Sequence, residues 1–288
     1  MRIGIESPAY LRYGLEEGAR RAREHGFDCF DYSSFMHTDT EFFNLPESEF
    51  EKELIRQRRL IEAEGIRVNQ AHAPWEAPVK CVSAEERAIK LEKASKALRG
   101  AAYIGATDLV IHMLMPYGED SSENPEGVVQ MNIEFMGALA EVAREYGVKH
   151  INVENLPFPK LPINSPRQCL DFARMMNKET NSDVFRVCLD TGHCNFCREA
   201  PADSVRMLGT YLGALHVHDN DGTADSHQIP GRGNINWTDF SDALAEIKFN
   251  GVLSFETMVS WDMPHGGARD RQERELALIG HKLAKNIR

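Results

Sequence analysis

The stretch Leu212–Trp237, LGALHVHDNDGTADSHQIPGRGNINW, gathers His216, His218, His227, Asp219, Asp221, Asp225 and a glycine-flanked Arg232 into one short span. Imidazole and carboxylate groups hold divalent metals when rigid elements project them into a cavity. Ala214–His218 alternates as a strand does, so His216 and His218 share one face, and the carboxylates begin where that strand stops. The remaining ligands must come from other parts of the chain.

The elements that would carry them repeat as strand then helix. Arg2–Glu6, Phe27–Ser33, Ile66–His72, Asp108–Leu114, His150–Leu156, Phe185–Thr191, Ala214–His218 and Gly251–Thr257 read as eight strands. Between them lie helical patterns, several closed by glycine, as at Gly26, Gly65, Gly105 and Gly147. Ser83-Ala-Glu-Glu is a capping-box pattern, and Ser165-Pro166 places a cap before a first-turn proline. Short helices are expected at Ser204–Leu212 and Thr238–Ile247, and an amphipathic one from Asp270 to Asn286. Regular alternation demands a parallel sheet, and eight repeats close a (β/α)8 barrel occupying residues 1–288 as one domain. An open doubly wound sheet is the alternative, but no G-x-G-x-x-G follows the first strand.

Chemistry in such barrels sits at the C-terminal strand ends. Those ends read Glu6, His72, His112, Glu154, Asp190 with His193, His216 and Glu256. Any one of these residues taken alone is most simply a hydrogen-bonded structural group. Several carboxylates buried side by side without counter-charge are prohibitively costly, so the set calls for a cation.

Ala71-His72-Ala-Pro, Val153-Glu154-Asn155, Leu189-Asp190-Thr-Gly-His193, Leu215-His216-Val-His-Asp219, Asp225-Ser-His227 with Pro230-Gly-Arg-Gly, and Phe255-Glu256-Thr257 together resemble the xylose isomerase-like barrel superfamily. It contains sugar (phosphate) isomerases, ketose 3-epimerases, inosose dehydratases and isomerases, and abasic-site nucleases of the endonuclease IV type. The resemblance implies that Glu154, Asp190, His216 and Glu256 ligate one divalent metal. Three carboxylates and one imidazole suit Mn²⁺ first, with Mg²⁺, Co²⁺ or Zn²⁺ as alternatives. It further implies that Glu154 and Glu256 move a proton on opposite faces of a metal-stabilised enediolate. His72, His112, His193, His227 and Arg232 are then expected to contact substrate. In the nuclease branch the residues matching His72, His112, His193, Asp225 and His227 help ligate two further zinc ions, and this sequence has all five.

Charge separates these branches. The chain carries 44 Asp and Glu against 33 Lys and Arg, a net −11. The loop after the fourth strand holds Glu119, Asp120, Glu123 and Glu126, and the loop after the seventh holds Asp219, Asp221 and Asp225. A rim this acidic repels a phosphate backbone, which disfavours nucleic acid as a partner. The expected activity is therefore isomerisation or epimerisation of a small sugar, cyclitol or sugar phosphate. The alternatives are a dehydratase or lyase on a keto-sugar, the nuclease, and a sugar-binding barrel without catalysis.

Other residues carry paired readings. Trp75 can stack on a sugar face or simply pack the rim. Arg232 can bind a substrate oxygen or phosphate, or be a surface arginine in a turn. Trp237 reads as packing beside a Thr238 helix cap, and Gly266-Gly267-Ala-Arg269 as a phosphate-binding helix start or an ordinary loop. Cys194-Asn-Phe-Cys197 lacks the second pair of a zinc ribbon, and the six scattered cysteines are expected to be reduced thiols. With no secretory signal and no long apolar run, a cytoplasmic protein is expected, without membrane partners and with homo-oligomers common among such barrels.

Overall fold

The computed structural model describes residues 1–75, 81–257 and 267–287. Eight parallel strands run in the ring order β7-β6-β5-β4-β3-β2-β1-β8: β1 (Arg2–Glu6), β2 (Cys29–Tyr32), β3 (Arg67–His72), β4 (Asp108–Ile111), β5 (His150–Glu154), β6 (Phe185–Asp190), β7 (Leu212–His216) and β8 (Val252–Phe255). Around them lie α1 (Pro8–Leu11), α2 (Leu15–His25), α3 (Glu47–Ala63), α4 (Ala84–Ile104), α5 (Pro125–Tyr146), α6 (Pro166–Glu179), α7 (Thr191–Phe196), α8 (Pro201–Leu208), α9 (Trp237–Glu246) and α10 (Gly267–Asn286). This is the expected (β/α)8 barrel.

The ring closes at a thin seam. Where neighbouring strands elsewhere share ladders, β7 and β8 meet through one bridge, Val217 to Phe255. Val217 N donates to Ser254 O at 2.8 Å and Glu256 N to Val217 O at 3.2 Å. The main apolar core lies between strands and helices, with Ile3, Phe30, Leu109, Ile151, Leu189, Leu215 and Phe255 facing Phe50, Leu98, Leu139, Leu170 and Phe240. Among the described residues Val110, Cys188 and Ala214 form a small apolar cluster apart from the main core. The residues above it are polar, and they are the ones with chemistry.

Helix starts follow the sequence signals. Ser83 with Glu86 and Ser165 with Gln168 form complete capping boxes, and Gly105 and Gly147 end their helices in the left-handed conformation. The elements differ from expectation at their ends. β4 and β5 stop at Ile111 and Glu154, short of Leu114 and Leu156. The Asn132 amide takes over the Leu114 backbone N–H and C=O, which leaves Leu114 nothing to give a ladder. α8 starts at Pro201 and ends in a 3-10 turn at Gly209–Tyr211, so β7 begins at Leu212. The α9 cap is Asn236, whose side chain accepts from Asp239 N; Thr238 lies inside the helix. The sequence pattern gave no sign of helices at α1 and α7. In α7 the cap is Asp190 itself, a strand-end carboxylate that the sequence offers first as a metal ligand.

Candidate metal centre

Each C-terminal strand end delivers one polar side chain to a common point. Glu154 at the end of β5 is the hub and is buried. Its Oε2 lies 3.3 Å from His72 Nε2 and 3.0 Å from His112 Nε2, while Oε1 lies 3.0 Å from His216 Nδ1 and 3.7 Å from His193 Nδ1. Glu256 Oε2 stands 3.1 Å from His216 Nδ1 without the alignment of a hydrogen bond, leaving that buried oxygen unpartnered. Asp190 Oδ1 accepts from His193 N at 2.6 Å, and Oδ2 faces His218 Nε2 at 2.9 Å. Glu154, Asp190, His216 and Glu256 each place one ligand atom within 4.8 Å of the others.

Two neighbouring groups meet the same criterion: His72, His112 and Glu154 on one side, and His193, His218, Asp225 and His227 on the other. Glu154 belongs to the first as well as to the central set.

The imidazoles are oriented from behind, as metal-ligating histidines are. His216 Nε2 faces Asp31 Oδ2 at 3.1 Å, and Gln70 Nε2 donates to that same oxygen at 2.6 Å. This leaves Nδ1 for the centre. His72 Nδ1 donates to Ala73 O, His193 Nδ1 to Asn155 O and His227 Nδ1 to Glu256 O, at 2.8, 2.9 and 3.0 Å, freeing each Nε2 to point inward. His227 reaches its place with φ 43°, a left-handed backbone unusual for a histidine. Gly192 leaves the space that His218 occupies: a Cβ there would lie 1.9 Å from His218 Cε1.

Charge in this cluster is one-sided. Glu6, Asp31, Glu154, Asp190 and Glu256 converge with Asp225 at the mouth, and among the described residues no Lys or Arg forms an ion pair with any of them. Without metal, protons supply the balance. Burial opposes charge on His216, but Cys188, Glu154, Glu256 and Asp31 outweigh it and hold the imidazole well above its usual range. Burial likewise opposes His193 and His227. Asp190 and Asp225 nevertheless raise His193 to about 9, and Asp225 and Glu256 raise His227 to about 10. Burial pushes Glu154 and Glu256 upward, yet the imidazoles, His216 foremost, bring both below the ordinary carboxylate range. Glu6 goes the other way: burial, then Glu256 and Asp31, lift it well above. A divalent cation would replace these protons, and the donor set fits one.

A sequence profile described as the xylose isomerase-like TIM barrel matches residues 19–278. The chain belongs to this family. An uncharacterised relative from Methanocaldococcus jannaschii is 29% identical over 263 residues, spanning 89% of this chain and 83% of that protein. A D-psicose 3-epimerase of Ruminiclostridium cellulolyticum is 28% identical over 149 residues, 52% of this chain and 48% of its own length. A solved L-ribulose 3-epimerase superposes with TM-score 0.77 at 20% identity, covering 99% of this chain and 95% of the other, a likeness of fold.

In this xylose isomerase-like barrel the sequence-derived residues separate. Glu154, Asp190, His216, Glu256, His72, His112, His193 and His227 come together. Trp75 stands beside them at the rim, its ring edge-on to His112 at 4.9 Å between centroids and packed with Met115, Leu156, Leu161 and Phe158. Arg232 is not brought to the centre; it is exposed and pairs with Glu275 of α10 at 3.3 Å. Trp237 packs on Phe240 as expected, and its Nε1 also donates to Asp219. Gly266 lies outside the described residues. Arg269 is buried against Glu273 on α10.

Two of the acidic loop residues are engaged by the protein itself, Asp219 from within and Asp225 at the mouth. Asp219 is buried and accepts from Asn220 N, Gly231 N, Ile235 N and Trp237 Nε1, so it organises the loop. Asp225 faces His193 and His227. Glu119, Glu123 and Glu126 do stay exposed. In the sequence His218 entered only as part of the metal-site loop, on the face of His216, and Asp31 was not singled out. The period-two spacing to His216 was the available signal for His218; for Asp31 it was its place on β2 beside Tyr32 and Ser33.

Proposed function

We propose that this protein is a divalent-metal-dependent isomerase or epimerase acting on a small sugar, cyclitol or sugar phosphate. The observation that carries this reading is the convergence of buried Glu154, Asp190 and His216 with partly buried Glu256, with no Lys or Arg among the described residues paired to them. The epimerase names of the relatives agree with it. The oxygen-rich donor set favours Mn²⁺. When bound, such an ion polarises a substrate carbonyl and stabilises negative charge on its oxygen.

The chain's own groups supply the proton transfer. Glu154 and Glu256 both approach His216 Nδ1, at 3.0 and 3.1 Å, so they flank one point from different strands. One takes the proton from carbon next to the carbonyl, and the other returns it on the opposite face. Both carboxylates stay ionised at neutral pH, as a base must. His72, His112 and Trp75 line the entrance where sugar hydroxyls would lie.

A second reading, phosphoester hydrolysis with up to three ions, draws on the two flanking ligand groups and on the inward engagement of Asp219 and Asp225. Incubation of Mn²⁺-loaded protein in D₂O with ketoses, aldoses, keto-inositols and their phosphates, read by mass spectrometry, separates the readings. Deuterium uptake at a carbon beside the carbonyl supports the first. Uptake should fall by about 10²–10⁴-fold in Glu154→Gln and in Glu256→Gln. No exchange with metal bound, together with cleavage of abasic DNA, moves the assignment to hydrolysis.

A further inference from the structure

At the opposite end of the barrel the strand N-termini of β1, β3, β4, β7 and β8 surround a cavity of about 640 Å³, a volume typical of small-molecule sites. Three guanidinium groups, Arg2, Arg58 and Arg67, line it with two carboxylates, Glu62 and Asp108. Both carboxylates are already engaged. Glu62 Oε1 accepts from Arg58 Nε at 2.9 Å; Asp108 accepts from Thr107 Oγ1 and Asn152 Nδ2 at 2.6 and 3.2 Å and faces His150 Nδ1 at 2.8 Å. Among the described residues Arg2 and Arg67 have no ion-pair partner, so two positive charges remain.

The strand register brings those two together. Gly4 pairs with Cys29 and Cys29 with Arg67, while Arg2 shares the Gly4 face of β1. Burial raises the Cys29 thiol to about 11; both guanidinium groups are near enough to pull against it, and the Asp28 carboxylate, which accepts from Ile3 N, adds to the rise. Beside them on the wall, Asn69 Oδ1 is buried without a hydrogen-bond partner. Gly213, also on the wall, makes room for the Asn152 amide, since a Cβ there would stand 2.0 Å from Asn152 Oδ1. Guanidinium pairs suit phosphate because they donate several parallel N–H bonds to its oxygens.

We propose that this cavity is a second ligand site, for a small phosphate monoester whose phosphoryl group is held by Arg2 and Arg67 and whose hydroxyl donates to Asn69 Oδ1. The inner wall is Gln70, which donates to Asp31, the carboxylate behind His216. A ligand here sits a short chain of hydrogen bonds from the metal centre.

The test is calorimetric titration of the metal-free full chain with glycerol 1-phosphate, inorganic phosphate and glycerol, which needs no turnover and so stands apart from the proposed activity. Glycerol 1-phosphate should bind with a Kd of about 1 mM or tighter, inorganic phosphate more weakly, and glycerol not at all. Arg2→Gln and Arg67→Gln should each weaken binding by about tenfold, with Arg67→Lys losing less because it keeps the charge. Arg232→Gln, on the other face, should bind as the parent does. Equal binding by parent and both glutamine variants, or no binding to the parent at about 20 mM ligand, overturns the site.

Discussion

Asp31 shows how one carboxylate behind an imidazole can set the orientation of a candidate metal ligand. Its Oδ2 takes the His216 Nε2 contact and the Gln70 amide, which fixes the imidazole with Nδ1 toward Glu154 and Glu256. Asp31→Asn keeps the volume and removes the charge behind the ring. Mn²⁺ affinity, measured by competition with a fluorescent chelator, should fall by about 10–100-fold, while the metal-free fold is retained. An unchanged affinity would mean that His216 needs no carboxylate behind it. The histidines of the cluster were legible in the sequence as types at strand ends, because eight repeats tell where those ends are. Asp31 was not, because an aspartate between Phe30 and Tyr32 on a strand says nothing of which imidazole it will meet. Asp190 was legible in one role only: its second role, capping α7, emerges when Thr191–Phe196 turns helical directly off β6.

At the scale of elements, α4 supports the entrance from below. Lys90 is buried on that helix and its Nζ donates to Pro74 O at 2.7 Å and to Trp75 O at 3.0 Å. It therefore holds the turn after β3 that sets Trp75 against His112. Replacing it by methionine keeps the stem and leaves two carbonyls without their donor, costing about 1–3 kcal/mol. Lys90→Met should raise KM for the sugar more than it lowers kcat, since the loss is in positioning the rim; a change confined to kcat would contradict that role. Element types were readable because glycine ends, capping boxes and apolar strands agree with one another. Element ends were not, because side chains distant in sequence decide them, as Asn132 does for Leu114 and Asn236 does for α9.

For the whole molecule, the charge of the centre makes stability depend on pH and metal together. His193 and His227 have folded pKa values of about 9 and about 10, above the usual 6.5. The stability they contribute is complete below pH 6.5 and is lost as pH climbs through 9 and 10. Glu154, Glu256 and Asp225 are depressed, so their contribution is present at neutral pH and lost on acidification. Metal-free protein should therefore melt at progressively lower temperature as pH rises from about 8 to 10. Mn²⁺ at 100 times its Kd should add about 2.7 kcal/mol and reduce the alkaline slope, with chelator restoring both. A Tm indifferent to Mn²⁺ and to alkali would argue against an ion in this cluster.

The seam between β7 and β8 has a bearing on all of this. His216 ends one side of it and Glu256 follows the other, with Val217 to Phe255 as the bridge between them. An ion held by both residues would work as a clasp, fastening β7 to β8 at the joint with the fewest backbone bonds. The barrel would then have two locks on one door, one made of peptide and one of metal. Any loosening of that joint would be felt as a change in the distance between Glu154 and Glu256, the two carboxylates proposed to carry the proton.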